Sequence, residues 1–390
     1  MSIYLDHNAG APARPEAIAA TARMLAGADG NPASVHRTGQ RARRALEQAR
    51  AQVAKLIGAA PREIVFTSGG TEANNFAISG ALASAGKRRR VITSALEHSS
   101  ILAPLGESET RGFEIVRIAP DGDGRVPPAA VIAALDDATA LVTLGLVNAE
   151  VGSILDATPI AEAAARAGAI FHLDAAQAAG RIAINAHQPR CDLMTLSAHK
   201  LGGLAGVGAL FIRAGITIAP QILGGPQEAA MRAGTPNLVG AVAFGVAAEA
   251  AGAAMETERA RIETMAAAML AGLRAGIPGV RLNGPRDARV ANTLNLTFPG
   301  VLGESMLIAL DLEGVEVSMG SACAAGAVEP SHVLLAMGRS AAEARSSLRI
   351  SLGWNTAPAE IDAALAVITR VWRRVSQAEP LGAIAIGAVR

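Results

Sequence analysis

Lysine is nearly absent from this chain. Lysine and arginine together number 35 among 390 residues, yet only Lys55, Lys87 and Lys200 are lysine. Lys55 lies in a charged helical stretch, and Lys87 opens a run with Arg88, Arg89 and Arg90. Both read as solvated surface charge. Cysteine is scarce too. Cys191 and Cys323 are far apart and differ in setting, which argues against a disulfide framework and suits a reducing cytoplasm. Neither charge is in excess, since the formal net charge is +1. A nucleic-acid binder relying on phosphate neutralisation is therefore not expected. No charged-then-apolar leader opens the chain, so export is not expected either. The most apolar long stretch, 238–255, is built of small residues and holds Glu249. It reads as a buried helix rather than a membrane span.

Apolar residues are plentiful, at 51% of the chain. The length fits one large and one smaller domain. Strand patterns at 63–67, 90–94, 115–118, 140–147, 171–174, 193–196 and 208–212 alternate with helical ones, and polar groups gather where the strands end. That pattern predicts an α/β fold with a mainly parallel, doubly wound sheet. From about Glu256 the texture changes to an Arg/Glu helix, a strand at 292–298 and a further helix. The predicted division is a large domain over 13–257 and a small α+β domain made of 1–12 plus 258–390.

Lys200 differs from the other two lysines. Leu193-Met194-Thr195-Leu196 leads into it, and Leu201-Gly202-Gly203 follows. A desolvated lysine can form a Schiff base, which arginine cannot. An ordinary buried lysine paired with a carboxylate has the same sequence. Asp174 ends the short apolar run Phe171-His172-Leu173. An acid at one strand end and a lysine just after a later strand would face one crevice of a parallel sheet. Pyridoxal phosphate needs such a pair: an amine for attachment and an anion for its pyridinium nitrogen. Asp174 could equally cap a helix.

Other candidates follow from position. Ser68-Gly69-Gly70-Thr71 lies between a strand and a helix, where free N–H groups and the helix dipole attract an anion. Any helix can be capped this way. His98 ends a strand at the crevice and can stack on a ring or shuttle protons, or serve as a hydrogen-bonded structural group. The loop of Asn8 is polar and can reach back to a site. Arg349 is the one basic residue inside an alternating strand. A substrate carboxylate or an internal salt bridge would each suit it. The segment 224–237 suits a subunit contact or a second phosphate donor. Cys323 is surrounded by small residues with no metal-ligand spacing nearby, as an exposed, mobile thiol would be. No intrinsic metal site is expected. Cys191, between Arg190 and Asp192, reads as a small structural residue.

Taken together, these pieces resemble a class I cysteine desulfurase, one of the fold-type I pyridoxal-phosphate enzymes related to class V aminotransferases. The resemblance runs from about Tyr4 to Ile361. It includes Gly30-Asn31-Pro32, Ser68-Gly69-Gly70-Thr71-Glu72-Ala73-Asn74-Asn75, Glu97-His98, Asp174, Gln177, Ser197 with His199-Lys200, Arg232-Ala233-Gly234-Thr235 and Gly320-Ser321-Ala322-Cys323.

The resemblance implies a role for each. Lys200 carries the cofactor and Asp174 pairs with its ring nitrogen. Asn148 and Gln177 bond the ring hydroxyl, and His98 stacks on the ring. Gly70, Thr71, Ser197 and His199 hold the phosphate, with Thr235 reaching in from the other subunit of a homodimer. Asn8 and Arg349 bind the substrate L-cysteine, and Cys323 is the nucleophile. Sulfur then passes from Cys323 to an iron–sulfur scaffold or another acceptor protein, and Cys323 can transiently touch a cluster during that transfer. The same fold also hosts selenocysteine lyases, aminotransferases, β-lyases and non-catalytic relatives; Cys323 argues against the thiol-free chemistries. Ala149, Gly10-Ala11, Leu204 and Trp354 depart from the family's usual residues.

Overall fold

A computed structural model describes residues 2–27, 30–320 and 329–378. The chain begins with strand β1 (Ile3–Tyr4) and helices α1 (Pro15–Ala26) and α2 (Arg37–Leu56). Then come β2 (Ile64–Thr67), α3 (Gly70–Ala83), β3 (Arg90–Ser94), α4 (Ser99–Thr110) and β4 (Glu114–Ile118). The alternation continues through α5 (Pro128–Ala134), β5 (Thr139–Gly145), α6 (Ala157–Ala167), β6 (Ile170–Asp174), β7 (Leu193–Ser197) and β8 (Gly208–Ile212).

These strands form one sheet in the order β2-β8-β7-β6-β5-β3-β4. Its pairs are parallel except at β8, which runs antiparallel to both β2 and β7. Every residue of β7 is buried, as are the first six of β5. That is what a parallel strand covered on both faces requires, and it explains the near-continuous apolar runs. From β3 the chain steps outward to β4, then returns to the other side of β3 with β5. Such a reversal opens a crevice at the carboxyl ends of the strands.

Helix α7 (Leu238–Gly276) is 39 residues long and capped by Asn237, whose side chain accepts from Gly240 N–H. It runs unbroken through the change of texture seen near Glu256. The change reflects a new packing partner, not a break in the backbone. Ala241, Phe244 and Ala248 belong to the core beneath the large sheet, whereas Met265, Met269 and Leu273 belong to a second core. By length and composition α7 could cross a membrane, but half of its most apolar stretch is buried inside the protein. Its N-terminal part packs against α1 and α2.

Beyond α7 lie β9 (Arg281–Asn283), β10 (Thr293–Thr297), α8 (Gly303–Leu312), β11 (Val315–Glu316), α9 (His332–Ala336), α10 (Ala341–Arg345), β12 (Ser347–Ser351) and α11 (Pro358–Ala378). Strands β12-β10-β9 make an antiparallel sheet, and β1 pairs with β11. The second core gathers Leu5 with Leu294, Phe298, Ile350 and Ile368. The N-terminal residues are thereby stitched to the C-terminal third of the chain.

Candidate active site

The carboxyl ends of β5, β6 and β7, with the segments that follow β2 and β3, converge on one cavity of about 700 Å³. Asp174, the last residue of β6, is held there from two sides. Its Oδ1 accepts the Ala176 N–H at 2.9 Å and its Oδ2 accepts Asn74 Nδ2 at 2.8 Å. Lys200 closes a short 3-10 turn after β7. Its Nζ donates to the carbonyls of Asn8 (2.7 Å) and Ala9 (2.9 Å). Burial, with Arg181 and Arg349 nearby, brings its pKa down to about 8. An amine so placed can lose its proton near neutral pH.

The predicted anion cradle lies on the same wall. Gly70 and Thr71 open α3, whose first N–H groups have no partner within the helix. A Cβ added at Gly70 would stand 3.4 Å from that of Ser197, so glycine keeps the gap between them open. Ser197 Oγ lies 3.0 Å from His199 Nδ1. Burial and Lys200 push the His199 pKa down to about 4, leaving a neutral ring as donor or acceptor.

Asn148 and Gln177 also line the cavity, each with part of its side chain already engaged. Asn148 Oδ1 accepts the N–H groups of Glu150 and Val151, and its Nδ2 donates to Leu96 O at 3.2 Å. Gln177 Nε2 donates to Asn8 O at 2.9 Å, while its Oε1 accepts from Arg181. Each amide retains one N–H. Asn8 bonds Thr293 and Asn292 besides Ala149 O, which joins the N-terminal loop to the second core.

His98 caps α4, with its Nδ1 accepting from Ser100 N–H. Arg349 also lines the cavity. The internal salt bridge foreseen for it is present: Nη2 bonds Asp6 Oδ1 at 2.7 Å, while Nε is buried without a partner among the described residues. Thr235 is exposed and outside the lining of this cavity. Cys323 lies outside the described residues. Cys191 is buried, its thiol raised to about 12 by burial, as an inert structural residue would be.

The roles of several residues of the site were not foreseen. Glu97 is buried, with its carboxyl accepting from Ser94 Oγ (2.6 Å) and Gly145 N–H (2.7 Å). Burial pushes its pKa up to about 8, and Asp174 adds to the rise. Arg181 lies in the turns after β6 and bonds Gln177 through both O and Oε1. Asn74 and Glu97 fell inside the motifs of the resemblance without a role assigned to them, and Ser100 carried no sequence signal of its own. Trp354, one of the departures, donates its Nε1–H to Pro12 O and stacks with Arg14, which pairs with Glu258. It contributes a contact between chain segments outside the cavity lining.

The donor set fits pyridoxal phosphate. An amine, a carboxylate held by two donors, and a helix N-terminus with an open glycine share one cavity. The buried Asn74 Oδ1 has no partner among the described residues, so an acceptor stands unused beside the carboxylate.

Comparison with known proteins agrees. The profile of the aminotransferase class-V family matches residues 3–364. The chain is 41% identical to cysteine desulfurase IscS of Dictyoglomus turgidum, over 97% of this chain and 96% of that one. It is 42% identical to the cysteine desulfurase of Cereibacter sphaeroides, over 98% of both chains. Among solved structures, a NifS-like protein from Rickettsia africae superposes with a TM-score of 0.86 at 30% identity, covering 96% of this chain and all of the other. SspA, solved in complex with cysteine, gives a TM-score of 0.80 at 31% identity, covering 90% of this chain and 99% of its own. The chain belongs to the aminotransferase class-V family of pyridoxal-phosphate-dependent enzymes and, within it, resembles the cysteine desulfurases along almost its whole length.

Proposed function

We propose that this enzyme takes the sulfur from L-cysteine, releases L-alanine and leaves the sulfur as a persulfide on Cys323. One observation carries the reading: the Lys200 amine, lowered to about 8, shares a cavity with Asp174 and Arg349. Bound pyridoxal phosphate supplies an electron sink for the Cα–H bond of an amino acid. Lys200 would anchor it and carry the Cα proton. Asp174 would keep its ring nitrogen protonated, and Asn148 and Gln177 would orient it with their remaining N–H groups. Gly70, Thr71, Ser197 and His199 would hold the phosphate. Arg349, with Asn8 behind it, would take the substrate carboxylate, and His98 would cover the ring and exchange a proton.

The sulfur step balances without an outside oxidant. A Cys323 thiolate forms an S–S bond to the substrate sulfur as the C–S bond breaks. The electron pair of that bond stays with the three-carbon product, which gains a proton and leaves as alanine. The persulfide sulfur then goes to an acceptor protein such as an iron–sulfur scaffold.

The same reading includes a division into a large unit, 13–257, and a small one, 1–12 plus 258–390. It also includes a cytoplasmic homodimer in which Thr235 serves the partner's phosphate. The exposure of Thr235, away from its own cavity, supports that arrangement. The test is direct. Purified enzyme is given L-cysteine, alanine is measured, and the mass of the Cys323 peptide is read. One added sulfur is expected, and Cys323→Ala should abolish alanine release. Full alanine production by Cys323→Ala would overturn the reading.

A further inference from the structure

Four side chains form an unbroken hydrogen-bonded chain from Asp174 to His98. Asn74 Nδ2 donates to Asp174 Oδ2 and to Ser100 Oγ, both at 2.8 Å. Ser100 Oγ lies 2.8 Å from His98 Nδ1. The Ser100 N–H meets the same ring nitrogen at 3.1 Å. Asn74 and Ser100 are both buried, at 1% and 6% exposure.

The direction of each bond can be assigned. An ionised Asp174 only accepts, so Asn74 must turn its NH2 toward it. A flipped amide would set oxygen against carboxylate and strand the NH2 where Oδ1 now has no partner. Both protons of the NH2 are then committed, and Ser100 Oγ accepts one of them. The hydroxyl proton is left for His98 Nδ1. The Ser100 N–H can only donate. His98 Nδ1 therefore faces two donors and has no room for a proton. A neutral imidazole in that position carries its proton on Nε2.

The surroundings favour the neutral ring. His98 sits at the N-terminus of α4, a 12-residue helix, where the dipole opposes a positive charge. Charged and titratable groups face it from Asp174 on β6, Lys200 after β7, His332 on α9 and the adjacent Glu97. Burial lowers its pKa, Lys200 and His332 act the same way, and Asp174 opposes them without prevailing.

We propose that Asn74 and Ser100 are positioning residues that lock His98 in the Nε2–H tautomer, so that this ring exchanges protons in the cavity through Nε2 alone. The proposal rests on the reading that amino-acid chemistry takes place in this cavity, but its first test does not.

Protein labelled with ¹⁵N-histidine is examined with and without pyridoxal phosphate. The His98 signals are identified among the seven histidines by their loss in His98→Gln. The expected spectrum shows an unprotonated Nδ1 and a protonated Nε2. A proton on Nδ1 overturns the proposal. Ser100→Ala removes one donor to the neutral ring, so the His98 titration should move to higher pH. kcat for alanine release should fall roughly tenfold, with KM changing less than about twofold. Ser100→Thr, which keeps the hydroxyl, should restore both. An unchanged titration in Ser100→Ala overturns the proposal, and the wild-type spectrum stands whether or not the variants fold. Loss of the desulfurase reading would appear separately, as wild-type enzyme making no alanine.

Discussion

Arg349 Nη2 holds Asp6 Oδ1 at 2.7 Å across 343 residues of chain. Arg349 is 2% exposed; among the described residues its Nη1 reaches only to Ala149 O at 3.4 Å, and its buried Nε has no partner. Asp6 thus fixes one edge of the guanidinium and leaves Nη1, held by one long bond, for a second carboxylate. Lysine at this position would keep the charge and lose the fork. Arg349→Lys should raise KM for L-cysteine by about 10- to 100-fold, with a smaller change in kcat, since hydrogen bonds to charged groups contribute on the order of 2 kcal/mol. Steady-state kinetics check this, and an unchanged KM would remove Arg349 from the carboxylate site.

Lys200 gives a pH prediction. Its pKa is lowered to about 8, chiefly by burial, and only the neutral amine can attack an aldehyde. The rate at which pyridoxal phosphate attaches to apoenzyme should therefore rise with pH to a midpoint near 8. An ordinary lysine would put that midpoint near 10.4. Absorbance against time across pH 6.5–9.5 measures it, and Lys200→Ala should show no attachment at all. A rate still climbing steeply at pH 9.5 would show that burial does not depress this amine.

Glu97 makes stability itself depend on pH. Its folded pKa, about 8, lies above the ordinary value of 4.5. Between these values the folded chain holds a proton that the unfolded chain has released. Folding stability from this group is therefore complete below about 4.5, falls as pH rises, and levels off above about 8. Glu97→Gln imitates the protonated form: its oxygen can accept from Gly145 N–H while its amide donates to Ser94 Oγ. Urea unfolding at pH 5.5 and 8.5 should show the variant gaining on wild type at the higher pH. An equal difference at both would mean that Glu97 is ionised in the folded protein.

These groups were not equally legible from sequence. Asp174 and Lys200 could be read because a strand end followed by a polar residue is a local pattern. Gly70 and Thr71 were legible for the same reason, lying between a strand and a helix. Asn74, Ser100 and Glu97 were not. Their roles depend on α3, α4 and the end of β5 meeting in space, and nothing local to any of them announces it. The pairing of Asp6 with Arg349 is likewise tertiary, made when the N-terminal residues join the second core. Helix α7 shows the converse. Its composition changes midway because its neighbours change, and sequence reading places an element boundary where the backbone has none.

Glu150 connects the two described ends of the segment that carries Cys323. Ser331, on one side, donates its hydroxyl to Glu150 Oε2 at 2.5 Å. Gly320, on the other, has φ +128, and a Cβ there would come within 3.0 Å of the same oxygen. An alanine at 320 would meet both a conformation costly for any side chain, on the order of 1–3 kcal/mol, and the carboxylate itself. Gly320→Ala should therefore slow persulfide formation on Cys323 by more than about tenfold, while the absorbance of bound pyridoxal phosphate is retained. Gly300→Ala is the control. Gly300 has φ +74, and the nearest atom to an added Cβ is 4.0 Å away on Ser376. It too sits at positive φ, nearer the left-handed region and without the crowding, so an alanine there should lower the melting temperature and spare the transfer rate. If both variants lost transfer alike, backbone strain would account for the effect. If neither did, Glu150 would have no part in setting the base of the segment. Rapid-quench measurement of the Cys323 persulfide in the three proteins separates these outcomes.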